Sequence, residues 1–111
     1  MGRKELGEFE HQVLLAILRL GGESYSAPLV LELEERGGRE VAHAAVFIVL
    51  KRLEEKGYVS SRMEEREEAG TRRTRRYFKL QAAGLERLRE SRETLHRFWE
   101  GLGEVFEEKQ Q

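Results

Sequence analysis

The chain has 111 residues, about the size of one small domain, with 20 Lys and Arg against 21 acids and a formal net charge of -1. It has no cysteine, which excludes disulfides, thiolate zinc sites and a cysteine nucleophile. All its acids are Glu, no Asn is present, and turns must be made by 11 glycines and a few Ser and Thr.

Residues 5–20 predict a first helix, because Leu6, Phe9, Val13, Ile17 and Leu20 recur at spacings of three and four, with Leu14 and Leu18 as a second apolar row. Acids at Glu5, Glu8 and Glu10 argue against a secretory signal, and the run from Val13 to Leu18 is too short to span a membrane. A cytoplasmic location is the default expectation. Gly21-Gly22 stops the helix. Ser26 is the expected N-cap of a second helix, with Pro28 in its first turn and Leu29, Val30 and Leu33 buried; Gly37-Gly38 ends it.

A third helix is predicted over 42–56, with Val46, Val49, Leu50 and Leu53 as its buried stripe and Gly57 as its stop. Its start at Ala42 lacks a capping side chain. Residues 58–63 read as a strand, 64–70 as a charged turn, and 71–80 as the return strand of a β-hairpin whose loop is longer than the tight two-residue kind. From Ala82 a long helix is expected to run to the end. Leu85, Leu88, Arg92, Leu95, Trp99, Leu102 and Phe106 alternate spacings of three and four, a heptad seam broken once by Arg92 and weakened near Gly101 and Gly103.

Three helices followed by a hairpin predict a mainly α fold with a small β-hairpin (α+β), a winged helix-turn-helix with a long C-terminal dimerisation helix. Residues 1–81 form the winged-helix unit and 82–111 the dimerisation helix, within one compact body. In such a fold the third helix enters the major groove of double-stranded DNA and the hairpin lies along the backbone or minor groove. The nine residues Thr71 to Lys79 carry five positive charges in an otherwise neutral chain, which points to a polyanion contact. Arg72, Arg73, Arg75 and Arg76 are therefore candidate wing contacts, with Arg72 and Arg73 favoured because they sit near the tip. The bland alternative pairs these arginines with Glu64, Glu65, Glu67 and Glu68 across the hairpin. Tyr77 and Phe78 point to opposite faces, so one belongs to the core.

On the third helix the outward face holds His43, Ala44, Phe47, Ile48 and Lys51. His43 and Lys51 can hydrogen-bond a base or phosphate; Ala44 and Phe47 can touch thymine methyls, and Phe47 can equally pack inward. This is a sparse reading vocabulary, so modest sequence discrimination is expected, helped by DNA shape. His11, His43 and His96 show no metal spacing, and neither a nucleophile motif nor a phosphate-binding glycine loop occurs. Catalytic residues, metals and cofactors are not expected.

Gly7-Glu8-Phe9-Glu10, Tyr25 with Pro28, Ala45-Val46-Phe47, the stretch Leu50-Lys51-Arg52-Leu53-Glu54-Glu55-Lys56-Gly57-Tyr58-Val59, and Arg72-Arg73-Thr74-Arg75-Arg76-Tyr77-Phe78-Lys79-Leu80 with Ala83-Gly84 resemble PadR-like transcriptional regulators over nearly the full length. The short C-terminal helix is similar to the compact branch of that family. The resemblance implies a homodimer joined through that helix, with Leu88, Leu95, Trp99, Leu102 and Phe106 at the interface, acting most often as a repressor. In multidrug-sensing members a tryptophan in a similar position stacks on planar ligands, which implies a small planar aromatic effector against Trp99, Phe98 and Leu95. The plainer alternative is an ordinary interface tryptophan. Departures from the family pattern occur at Ser26, Ala44, Phe47 and Gln81. Those at Ala44, Phe47 and Ile48 keep open a competing reading, a winged-helix protein-interaction module with weak or no DNA binding.

Overall fold

The computed structural model describes residues 5–108. In chain order these form α1 (Glu8–Arg19), β1 (Glu23–Ser24), α2 (Ser26–Gly37), α3 (His43–Glu55), β2 (Val59–Glu68), β3 (Thr71–Leu80), α4 (Ala82–Trp99) and α5 (Gly103–Glu108). The three strands make one antiparallel sheet in the order β1-β3-β2. The winged helix-turn-helix expected from the sequence is therefore present, with a third strand added.

That strand, β1, is too short to show alternation in the sequence. Gly21 and Gly22 both take positive φ and turn the chain so that Gly22 accepts a hydrogen bond from the Leu80 N–H at 2.8 Å. Glu23 and Ser24 then pair with Lys79 and Phe78. The α2 cap also differs from expectation. Ser26 lies inside the helix, and the extended N-cap residue is Tyr25, which makes no side-chain cap bond. The weak start of α3 is explained by a neighbour: the Glu34 carboxylate accepts the Val41 N–H at 3.0 Å and fixes the turn just before Ala42.

The hairpin corrects the expected loop. Both strands run ten residues, and Glu68 pairs with Thr71 around a two-residue turn, Ala69-Gly70, whose φ values are 52° and 77°. These are the signs that a tight turn matched to strand twist requires. Residues 64–68 are thus strand, not turn. Their charge resembles a loop in isolation, but on the ladder they face the arginines of β3.

The C-terminal helix also differs from expectation. It ends at Trp99, Gly101 takes φ 79°, and α5 begins at Gly103. The Phe106 ring comes back to lie 5.5 Å from Trp99. Two glycines within three residues weaken the helix enough for that contact to be made across a break. The seam is not one continuous helix, and among the described residues no helix is long and apolar enough to cross a membrane.

One core joins all the larger elements. Val13, Leu14, Ala16 and Ile17 of α1 meet Leu29, Val30 and Leu33 of α2, Val46, Val49, Leu50 and Leu53 of α3, then Tyr58, Val59, Phe78 and Leu88. Of the two aromatics ending the basic strand, Phe78 is the core residue. Glu10 is buried beside it all, accepting the Gly7 N–H at 2.8 Å and bonding Lys56 Nζ through both oxygens at 2.9 and 3.0 Å. Burial alone would raise its pKa, but the Gly7 bond and Lys56 outweigh this and hold the carboxyl below its ordinary value. Stability from this group is therefore present above about pH 4.5 and lost as pH falls through the lowered pKa.

Glu10→Gln should destabilise the protein by about 1–3 kcal/mol at neutral pH, because Lys56 keeps its charge without its partner. In thermal melts over a pH series, the gap between wild type and variant should close as pH falls below the Glu10 titration. A constant gap would show that the ion pair is not its source. Gly84 faces a different constraint: a Cβ there would sit 2.4 Å from the Tyr58 carbonyl oxygen and 2.9 Å from Leu80 Cδ1. Gly84→Ala, normally favourable inside a helix, should instead cost about 1–3 kcal/mol in urea unfolding.

Candidate nucleic-acid interface

Burying Val46, Val49, Leu50 and Leu53 turns the opposite face of α3 outward. His43, Ala44, Phe47, Ile48 and Lys51 are all exposed there. Phe47 takes both of its expected roles in part: it is 45% exposed, and its ring stands edge-on to Phe78 at 6.4 Å. Lys51 Nζ lies 3.6 Å from the Glu54 carboxylate.

Glu54, which sequence reasoning missed, ties this helix to the wing. The Ser61 hydroxyl donates to Glu54 at 2.6 Å and accepts from Arg76 at 3.0 Å. The Ser61 bond first, then Lys51 and Arg76, hold the Glu54 carboxyl below its ordinary pKa despite some desolvation. Lys51, Glu54, Ser61 and Arg76 therefore form one chain of contacts from the outward face of α3 to the root of the hairpin. Register could have suggested it, since Ser61 and Arg76 share the strand face that carries Phe78.

Pairing in the hairpin sorts the four expected arginines. Arg72 and Arg76 share the face of Phe78; Arg73 and Arg75 share the face of Tyr77. On the Tyr77 face, Arg75 lies over the Tyr25 ring at 4.4 Å, Arg62 lies over the Tyr77 ring at 4.8 Å, and the two rings meet edge to face at 5.4 Å. This stack braces the wing against the start of α2. Arg72 and Arg73 are the most open, with side chains 76% and 63% exposed. The four arginines are thus gathered on one hairpin but not in equivalent states. Two reach solvent near the tip and two are held at the root.

Behind α3, α1 and α4 leave an open groove of about 1060 Å³, lined by His11, Leu15, Leu18, Leu85, Leu95 and Trp99 among others. Desolvation keeps His11 below its ordinary pKa. Leu88, expected at a dimer interface, lies in the core of the chain, 5% exposed. Leu95, Trp99, Leu102 and Phe106 are exposed, as is Phe98, which stands outside the groove. Among the described residues no cluster of side chains could hold a metal ion.

Residues 14–90 match the family model described as the transcriptional regulator PadR-like family. Among solved structures, a PadR family transcriptional regulator from Eggerthella lenta is similar at 25% identity and a TM-score of 0.63, over 86% of this chain and 80% of that one. Bacillus subtilis PadR, in complex with operator DNA, shares the fold at 19% identity and a TM-score of 0.60, over 74% of this chain and 45% of the other. An organohalide-sensing regulator in its 2,4-dichlorophenol-bound form shares it at 16% identity and a TM-score of 0.64, over 86% and 50%. No curated protein matches the chain. The match runs from the core of α1 through the hairpin into α4 and takes in α3 and the wing, so the chain belongs to the PadR-like family of transcriptional regulators, DNA-binding proteins rather than enzymes.

Proposed function

We propose that the protein is a homodimeric repressor whose two α3 helices enter successive major grooves of double-stranded DNA, with half-sites about one helical turn apart. The carrying observation is the contact chain Lys51–Glu54–Ser61–Arg76, which presents the outward face of α3 and the root of the wing as one surface. His43 and Lys51 supply hydrogen bonds to bases or phosphates, Ala44 and Phe47 touch thymine methyls, and Arg72 and Arg73 at the tip reach the backbone or minor groove, with Arg75 and Arg76 held behind them at the root. Residues 1–81 serve as the DNA-binding unit and 82–111 as the dimerisation element, working in the cytoplasm.

Leu95, Trp99, Leu102 and Phe106 join the protomers in this reading. Their apolar side chains, exposed beside an open groove, need cover. Trp99, with Leu95 and Phe98 near it, receives a small planar aromatic effector. The 2,4-dichlorophenol-bound regulator of the same fold supports that ligand class. Exposed Phe47 and Ile48 on α3 favour the second reading, a protein-interaction module with weak DNA binding.

Gel shifts on the DNA upstream of the protein's own gene separate the two. With roughly six phosphate contacts per dimer, log affinity should fall against log salt with a slope near -5, and Lys51→Ala or Arg72→Ala should weaken binding at every sequence. A flat salt dependence would instead favour the module. At Trp99, titration with a panel of planar aromatic compounds should quench fluorescence, and Trp99→Ala should shift the sedimenting species toward monomer. A fully dimeric variant, or a panel that quenches nothing, would remove that residue from the corresponding role.

A further inference from the structure

The hairpin that carries the wing arginines also carries its own anions. Residues 59–80 hold six arginines, one lysine and four glutamates, for a net charge of only +3. Five of the six arginines lie within ion-pair distance of a carboxylate. Arg72 meets Glu65 at 3.5 Å, while Arg73 and Arg75 share Glu68 at 3.8 and 3.2 Å. Arg62 and Arg66 share Glu64 at 3.4 and 3.0 Å. The pairs of Arg72, Arg73 and Arg75 cross from β3 to glutamates on β2, which the ladder brings alongside, while Arg62 and Arg66 pair with Glu64 along β2 itself.

Folding does not require these pairs. Pairs of long, exposed side chains contribute little to stability, and the strand ladder with its tight turn holds the hairpin in any case. What the glutamates do change is the field met by an approaching polyanion. Sequence-independent affinity for DNA comes from cations that displace condensed counterions. A carboxylate within 4 Å of a guanidinium offsets part of the charge that would draw a phosphate to it.

We propose that Glu65 and Glu68 act as built-in counterions of Arg72, Arg73 and Arg75, holding down sequence-independent DNA affinity so that the contacts of α3 decide where the protein binds. The inference rests on the reading of the hairpin as a DNA-binding wing. It also answers a problem that α3 poses. His43 and Lys51 are few donors for direct readout, and a fully cationic wing would swamp their contribution at every non-cognate site. A wing screened by its own glutamates keeps the ratio of specific to non-specific binding in favour of α3.

The test is fluorescence anisotropy of a short labelled DNA duplex of random sequence, titrated over a salt series with wild type, Glu65→Gln, Glu68→Gln and the double variant. Gln preserves length and hydrogen bonding, and equal melting temperatures by circular dichroism show that the fold is kept. Glu65→Thr repeats the measurement with a strong strand former, should Gln loosen the hairpin. Each substitution should tighten binding about threefold at low salt, and the double variant should steepen the salt slope by about one to two. In an Arg72→Ala background the gain from Glu65→Gln should disappear. Unchanged or weaker binding by the folded variants, while wild type binds, overturns the counterion role and leaves the DNA reading standing. An equal gain with and without Arg72 overturns the pairing. No binding by wild type at the lowest salt sinks both the inference and the reading it rests on.

Discussion

The backbone at Tyr58 is the constraint on which the rest of the molecule depends. Gly57 reverses the chain at the end of α3 with φ 80°, and the Tyr58 N–H closes the helix on Leu53 at 2.9 Å. The Tyr58 carbonyl then accepts the Gln81 N–H at 2.9 Å, and α4 passes so close that only a glycine fits at position 84. Its side chain is buried and also engages Arg87 of α4, raising the pKa of that guanidinium. One residue therefore fixes the end of α3, both roots of the wing and the departure of α4. A side chain at 84 would push on all three at once.

A second constraint is electrostatic. The chain as a whole is nearly neutral and the part outside the hairpin is net negative, so the wing cannot draw on a wide basic field and acts only at close range. Its arginines divide into two sorts. Arg75 and Arg76 are held at the root by Tyr25 and Ser61, which sets the wing's position relative to α3. Arg72 and Arg73 are open at the tip but partnered by carboxylates. Rigid placement at the root and screened charge at the tip are different requirements, and the alternating strand meets both with neighbouring residues of one type.

The helices were legible because their apolar residues repeat at spacings of three and four and because glycines mark their ends. The buried stripe of α3 at 46, 49, 50 and 53 follows directly from that period. The hairpin was half legible. Charge at 64–68 argues for a loop when read alone, and only the facing arginines turn it into strand, which is a non-local fact. The strand β1 was invisible because two residues show no period; it exists through Gly21, Gly22 and the ladder position of Leu80. The break after Trp99 was signalled by Gly101 and Gly103, but the heptad pattern outweighed them until the contact between Phe106 and Trp99 showed what the break permits. Of the interface, the outward face of α3 was readable from its buried face. The link through Glu54 and Ser61 was not, because it joins a helix to a strand seven residues on.

The break also shapes how a groove on one side could influence a surface on the other. A helix of 18 residues spans about 27 Å, and its first two turns pack on the core through Gly84 and Leu88. Leu85 on its outer side and the part from Leu95 onward, with α5 folded back on Trp99, remain open to other contacts. Residues of α1 face both ways: Leu15 and Leu18 line the groove, while Val13, Leu14 and Ile17 lie in the core shared with α2 and α3. Whatever fills the groove must press on α1 or pry at α4. The core leaves α1 little slack, and the close passage at Gly84 makes the root of α4 stiff.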